Sequence, residues 1–291
     1  MAPINNATDK AEVLIEALPY IRDFEGKTVV IKYGGAAMLD PALRKSTAED
    51  IVLMKYVGMN PVVVHGGGPA INSYLKRLGI ESTFSPQGLR ITGDDAIEVV
   101  ETVLCGQVNK DIVSLLNQHG GDAVGLSGKD GNLLYARKLD TGDGTDIGHV
   151  GKLAGVHPKI ITTLTQAGFV PVIAPIATDI SGGTWNINAD TAAGEVAASL
   201  NAEKLVFLTD TPGLLRDVND PDSLIHQLRS SEIEALRESG VIAGGMIPKI
   251  EACALALDFG VRKTHIIDGR KPHSLLLEIF TKEGLGTLVS H

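Results

Sequence analysis

Short apolar runs alternate along the chain with longer segments whose apolar positions recur at helical spacing. The runs are TVVIKY from Thr28, PVVVH from Pro61, DAVGLSG from Asp122, VPVIAPIA from Val170, KLVFLTD from Lys204 and KTHIID from Lys263. Strands apolar on both faces must be covered on both faces, which predicts a mainly parallel sheet with helices on each side. Helices are predicted at AEDIVLMKYVG, PAINSYLKRLG, PKIITTLTQAG, TAAGEVAASLN, EIEALRESG and PKIEACALALDFG, with one long helix over AIEVVETVLCGQVNKDIVSLLNQHG. The fold class is α/β.

Two features depart from this alternation. Ahead of the first strand, TDKAEVLIEALPYIRDF places Leu14, Ala17, Leu18 and Ile21 on one helical stripe, with Pro19 expected to kink it. A helix outside the βα repeat must bury its stripe on its own domain or on another subunit. Polar-flanked segments between Thr83 and Thr92, and over NLLYARKLDTGDGTDIGHVGKLAGV, read as hairpins at the edge of the main sheet. The turn cluster TDISGGTWN marks the candidate boundary between 26–180 and 181–291, with the N-terminal helix set apart as 1–25.

Composition narrows the function. Among 291 residues, 44% are hydrophobic and 21% charged, ordinary globular values, whereas 33 glycines and only 4% aromatics point to tight turns and closely packed backbones. A net charge of -9 argues against a nucleic-acid or anionic-membrane surface, which needs excess Lys and Arg, so any phosphate must meet a local site. Cys105 and Cys253 lack metal or redox spacing and read as buried free thiols in a reducing cytosol. No apolar run approaches the ~18 residues of a membrane span, and the N-terminal stretch shows no basic leader, so a cytoplasmic protein is expected.

The candidate chemistry sits where strands run into glycines. IKYGG and VVHGGGPAIN each end a strand with consecutive glycines, and helix N-termini with open amides are natural anion sites. Neither a G-x-G-x-x-G nor a G-x-x-x-x-G-K-[ST] pattern occurs; GLSGKDG imitates the latter, but Asp130 follows Lys129. In GGMIPK, Pro248 suits a first helical turn and places Lys249 near a helix N-terminus, which opposes the dipole unless an anion compensates. Asp190, in WNINADTAA, is that candidate anion, or simply a helix cap.

These segments resemble the amino-acid kinase family, and within it the members that phosphorylate N-acetyl-L-glutamate. IKYGG, VVHGGGPAIN, QGLRIT, NINADTAA, LTDTPGLL and GGMIPK occur in order from Lys27 onward. The resemblance implies an open three-layer αβα sandwich, its N-terminal lobe (26–180) binding the amino acid and forming a dimer contact, its C-terminal lobe (181–291) binding MgATP. It implies Lys32 and Lys249 as transition-state stabilisers and Asp190 as the carboxylate organising both. It assigns phosphate-facing amides to Gly34, Gly35 and Gly66, and substrate contacts to Gly67, Gly68, Arg90 and Asn186. Nucleotide contacts fall to Asp210, Gly213, Leu215, Gly244, Gly245 and Met246. His65 reads as structural rather than as an acid or base.

The implied reaction is transfer from ATP to the side-chain carboxylate, giving N-acetyl-L-glutamyl 5-phosphate on the route to arginine, with Mg²⁺ carried on the ATP phosphates. A carboxylate acceptor with a pKa of about 4.3 is already ionised, so the absence of a positioned general base fits it better than an alcohol acceptor. Competing readings are a relative acting on aspartate, glutamate, carbamate or a nucleotide, and a catalytically silent amino-acid-binding domain; the presence of both lysines argues against the latter. The N-terminal helix (1–25) and the C-terminal segment also resemble arginine-inhibited members, in which such helices interlock dimers into a hexamer. That assigns Tyr20, Lys204, His265, Glu278 and Gly284 to an L-arginine site.

Overall fold

The computed structural model describes residues 7–85, 88–281 and 284–291. Gln87 of the QGLRIT segment and residues 1–6 of the N-terminal extension lie outside the described residues. The first half contains α1 (Ala7–Phe24), β1 (Thr28–Tyr33), α2 (Pro41–Tyr56), β2 (Asn60–His65), α3 (Gly68–Leu78), α4 (Asp94–Glu101), α5 (Asn109–Gln118), β3 (Ala123–Ser127), β4 (Leu134–Lys138) and β5 (Gly151–Val156). It continues through α6 (Lys159–Gln166), β6 (Val170–Ala174), β7 (Ile176–Thr178), β8 (Thr184–Asn186), α7 (Ala189–Ser199) and β9 (Lys204–Thr209). The chain closes with β10 (Gln227–Arg229), α8 (Ile233–Glu238), α9 (Met246–Asp258), β11 (Lys263–Asp268), α10 (Ser274–Phe280) and β12 (Thr287–Ser290).

Eight strands form one sheet in the order β10-β12-β11-β9-β1-β2-β6-β3, parallel throughout except where β12 runs against β11. The period of two in β1 sorts its side chains onto two cores. Val29 and Ile31 join the core that includes residues of α2, α3, α5 and α10; Val30 joins the core that includes residues of α6, α7 and α9. This is the expected αβα sandwich.

Three expectations change. The predicted hairpins do not lie at the edge of the main sheet: β5-β4-β7-β8 form a separate four-stranded sheet, and the segment after Thr83 contributes isolated bridges, Phe84 with Arg90 and Thr92 with Gly148. VPVIAPIA is not one strand, because the chain leaves the main sheet after Ala174 and enters the small sheet at Ile176. Pro175 between them has no N–H to continue a ladder. The long helix from Ala96 is broken by a π-helical stretch, Thr102–Val108, between α4 and α5. The helix α1, by contrast, runs through Pro19 as a single 18-residue element. Cys253 is buried and Cys105 half-buried, both free, with burial pushing the thiols up to about 12 and about 11.

Candidate active site

Lys32 is the penultimate residue of β1, paired with Val64 of β2 on one side and Phe207 of β9 on the other. Two positions after Val30, it shares that residue's face, the side covered by α7 and α9. Asp190 lies in the first turn of α7 and Lys249 in that of α9. A Cβ on Gly194 would come within 3.0 Å of Ala252, so glycine is what allows the two helices to approach this closely.

The result is a converging triad. Lys32 Nζ lies 3.0 Å from Asp190 Oδ1, and Lys249 Nζ donates to Asp190 Oδ2 at 2.9 Å. Each carboxylate oxygen thus faces one ammonium group at hydrogen-bond distance. Lys249 also donates to Gly245 O at 3.1 Å, which offsets the unfavourable helix end. Side-chain exposures of 12%, 8% and 18% for Lys32, Asp190 and Lys249 place all three in a mostly dry setting. Burial alone would raise the Asp190 pKa, but the two ammonium groups more than offset it and hold the carboxyl below the usual range. Asp190 is not the helix cap: Asn188 accepts from the N–H groups of Asp190 and Thr191, leaving the aspartate free for the lysines.

Both glycine turns open beside Lys32, at the carboxyl ends of β1 and β2. Gly35 has φ +67, and a side chain there would run into the Asp210 carboxylate, which accepts the Ala36 N–H. A Cβ on Gly34 would lie 2.5 Å from Lys32 Nζ. The free amide expected at Gly66 is corrected, because that N–H is already donated to Tyr33 O at 2.9 Å, continuing the β1–β2 ladder. Open amides in this turn therefore begin with Gly67 and Gly68, where α3 starts. A cavity of about 250 Å³ is lined by Lys32, Gly34, Gly35, Gly66 and Gly67, and a second of about 180 Å³ by Gly67, Gly68, Arg90, Leu104 and Asn186. The phosphate-side and substrate-side sets meet at this turn.

Arg90 is buried and held from several directions. Its guanidinium donates to Asn72 Oδ1 at 2.7 Å, to Ser82 Oγ and, at 3.5 Å, to Gly68 O, and lies 4.7 Å from the Phe84 ring centroid. Asn186 at the end of β8 donates to Thr92 Oγ1 at 3.3 Å. Ser82 and Phe84 have no motif signal, and Asn72, which closes VVHGGGPAIN, carries none for this role, since the role exists only once the chain folds Arg90 back across α3.

The nucleotide-side positions divide. Gly244, with φ +52, and Gly245 are exposed with nothing within 4 Å of either Cβ, and Met246 begins α9 beside them. Asp210 is exposed at the end of β9, facing the first glycine turn. Gly213 is buried, where a Cβ would meet Thr287 and Leu224, and Leu215 bridges Leu224, so both are also held by packing at this edge.

A second cluster forms on β9 and β11, toward the amino-terminal ends of the strands. Lys204, His265, Glu278 and Gly284 line a cavity of about 220 Å³, and Tyr20, Lys204 and Glu278 line one of about 570 Å³. Glu278 Oε1 meets His265 Nδ1 at 2.5 Å, and Oε2 accepts from Leu285 N at 2.9 Å. Burial would raise Glu278, but His265 and Lys204 outweigh it and the carboxyl sits low; burial also pulls His265 and Lys204 down. Buried His265 Nε2 has no partner among the described residues.

Among the described residues no three His, Cys, Asp or Glu side chains gather as a metal cage, and no helix is long and apolar enough to cross a membrane. An acetylglutamate kinase of Thermoanaerobacter pseudethanolicus is 58% identical over 280 residues, covering 96% of this chain and 93% of that protein. One from Heliobacterium modesticaldum is 56% identical, covering 97% and 98%. Among solved structures, an N-acetylglutamate synthase from Neisseria gonorrhoeae complexed with coenzyme A and N-acetyl-glutamate superposes with TM-score 0.84 at 29% identity. That match covers 97% of this chain but 63% of the synthase. The same synthase complexed with coenzyme A and L-arginine gives TM-score 0.79 at 29% identity, covering 96% of this chain and 65% of that one. The sequence profile described as the amino acid kinase family matches residues 27–268, and with relatives this similar along nearly their whole length, the chain belongs to that family and is a kinase.

Proposed function

We propose that the chain transfers the γ-phosphoryl group of ATP to the side-chain carboxylate of N-acetyl-L-glutamate, forming N-acetyl-L-glutamyl 5-phosphate for arginine synthesis. The observation that carries this reading is the pair of lysines on Asp190 beside two glycine turns. In the reaction, charge spreads over the oxygens of the migrating group, and the protein contributes mainly alignment and neutralisation. Lys32 and Lys249 supply the neutralising charge, Asp190 fixes their positions, and the amides of Gly34, Gly35, Gly67 and Gly68 cradle the phosphoryl oxygens. Arg90, held by Asn72 and Ser82, presents its remaining donors to the substrate α-carboxylate, with Asn186 across the same cavity.

The C-terminal lobe (181–291) would take the nucleotide around Asp210, Gly213, Leu215 and the open Gly244–Gly245–Met246 segment. Mg²⁺ would arrive with the nucleotide and add charge neutralisation at the migrating group, needing few protein ligands. The exposed Asp210 carboxylate beside the first glycine turn would be the group of this chain to hold such a hydrated ion. Measured ADP release across free and acylated amino acids should respond to N-acetyl-L-glutamate far above glutamate, aspartate and carbamate. Equal turnover of free glutamate, or none with the acetylated acid, would reject the assignment.

The second cluster favours a further reading, feedback inhibition by L-arginine of an oligomeric enzyme. Leu14, Ile15 and Leu18 of α1 are 69%, 68% and 47% exposed on the single chain, an apolar stripe suited to the interlocking of dimers into a hexamer. The C-terminal end of α1 brings Tyr20 to the cavity holding Lys204 and Glu278, which could tie assembly to inhibition. Deleting residues 1–25 should lower the molecular mass in solution and abolish or weaken arginine inhibition. A truncated enzyme unchanged in both would sink this reading.

A further inference from the structure

We propose that His65 and Asn109 are positioning residues, which hold the Gly66–Gly67 peptide in one orientation through a single imidazole tautomer and thereby aim the second glycine turn at the phosphoryl site. The inference rests on the kinase reading above, to which it adds residues that touch neither substrate nor nucleotide.

His65 ends β2 and is completely buried. Its Nδ1 lies 2.8 Å from Gly66 O and its Nε2 3.1 Å from Asn109 Nδ2. The orientation of the Asn109 amide is fixed by its other partners: its Oδ1 accepts from Lys110 Nζ at 3.1 Å, and its two amide hydrogens serve the shorter contacts, Val172 O at 2.9 Å and His65 Nε2, with Leu126 O a longer neighbour of Nδ2 at 3.4 Å. A flipped amide would set oxygen against two carbonyls and nitrogen against an ammonium. The NH₂ therefore faces His65, Nε2 must accept, and the ring proton sits on Nδ1, donated to Gly66 O. Burial supports this by pushing the imidazole down to about 4, so the ring is neutral at physiological pH.

A trans peptide points its C=O and the following N–H in opposite directions. Anchoring Gly66 O to the buried imidazole thus turns the Gly67 N–H away from the core, toward the cavities that Gly67 lines. The same turn is supported from below by the π-helical stretch that ends immediately before Asn109. A Cβ on Gly67 would lie 2.5 Å from Leu104 and 3.4 Å from Val108. Wide π turns within α-helices recur at functional sites, and this one delivers Leu104, Val108 and Asn109 to one peptide unit.

Asparagine can reproduce the Nδ1 donor of histidine, whereas glutamine reaches the Nε2 position and loses that donor. The kcat of His65→Gln should fall at least about tenfold below that of His65→Asn, with KM values for acetylglutamate and ATP within about threefold of each other, because a misaligned cradle affects the transition state most. Thermal midpoints of the two variants should be similar. A neutron structure of the unaltered chain should show the exchangeable proton on Nδ1 facing Gly66 O. Equal kcat for the two variants, or a proton on Nε2, overturns the proposal. The neutron result is independent of substrate, so failure of the kinase assignment would be seen separately, as absent turnover of N-acetyl-L-glutamate by the unaltered chain.

Discussion

Replacing Lys249 by alanine should lower kcat by about a hundredfold or more while leaving the KM for ATP within a few-fold. The ammonium group is 2.9 Å from Asp190 and only 18% exposed, so its field is weakly screened by water. In the proposed reaction the negative charge of the migrating group is shared among its oxygens at the moment Lys249 faces it. Removal of one donor from such a preorganised site commonly costs about 3–4 kcal/mol of transition-state stabilisation. Steady-state kinetics distinguish the alternatives: a weaker ATP KM with unchanged kcat would assign Lys249 to ground-state nucleotide binding and reject its proposed role.

Substituting Asp190→Asn should damage both activity and stability. The amide preserves shape but removes the charge that holds two ammonium groups at 3.0 and 2.9 Å, so the lysines lose their alignment and repel each other. We expect kcat to fall by about two orders of magnitude or more and stability at pH 7 to fall by on the order of 3 kcal/mol. The pH dependence has a definite sign. Because the folded carboxyl titrates below its ordinary value, its contribution is complete above the unfolded pKa of about 3.9 and disappears as pH falls through the lowered folded value. Denaturant titrations of both proteins should therefore show a stability gap that is constant from pH 5 to 8 and closes in acid. A gap that widens in acid, or full activity in the variant, would show that Asp190 does not organise the lysines.

Much of this architecture was legible in the chain because burial leaves a periodic trace. Strands β1, β2, β9 and β11 coincide with apolar runs, and Lys32, at the end of one such run, interrupts it where a cation would be costly without a partner. The glycine turns were visible for a related reason: consecutive glycines after a strand raise the entropy lost on folding and imply a close approach to the backbone. What local patterns misassigned were features without a local cause. The separation of β4, β5, β7 and β8 into a second sheet depends on which strands find partners, and the interruption at Thr102–Val108 is marked only by Gly106, which a helix can also carry at modest cost. The free N–H assumed at Gly66 was lost to Tyr33, a contact decided by strand register.

The sequence by itself determined the parallel α/β class, the two glycine turns and the identity of the charged residues, since helix and strand periods and backbone permissiveness are properties of neighbouring residues. Only the tertiary structure decided that Lys32, Asp190 and Lys249 meet, that Asn188 rather than Asp190 caps α7, and that Asn109 reaches His65. The cap is local, but Asp190 is drawn away from it by distant lysines; the lysine and His65 contacts join residues far apart along the chain, and their distances follow from how closely helices such as α7 and α9 can pack, which no local pattern encodes.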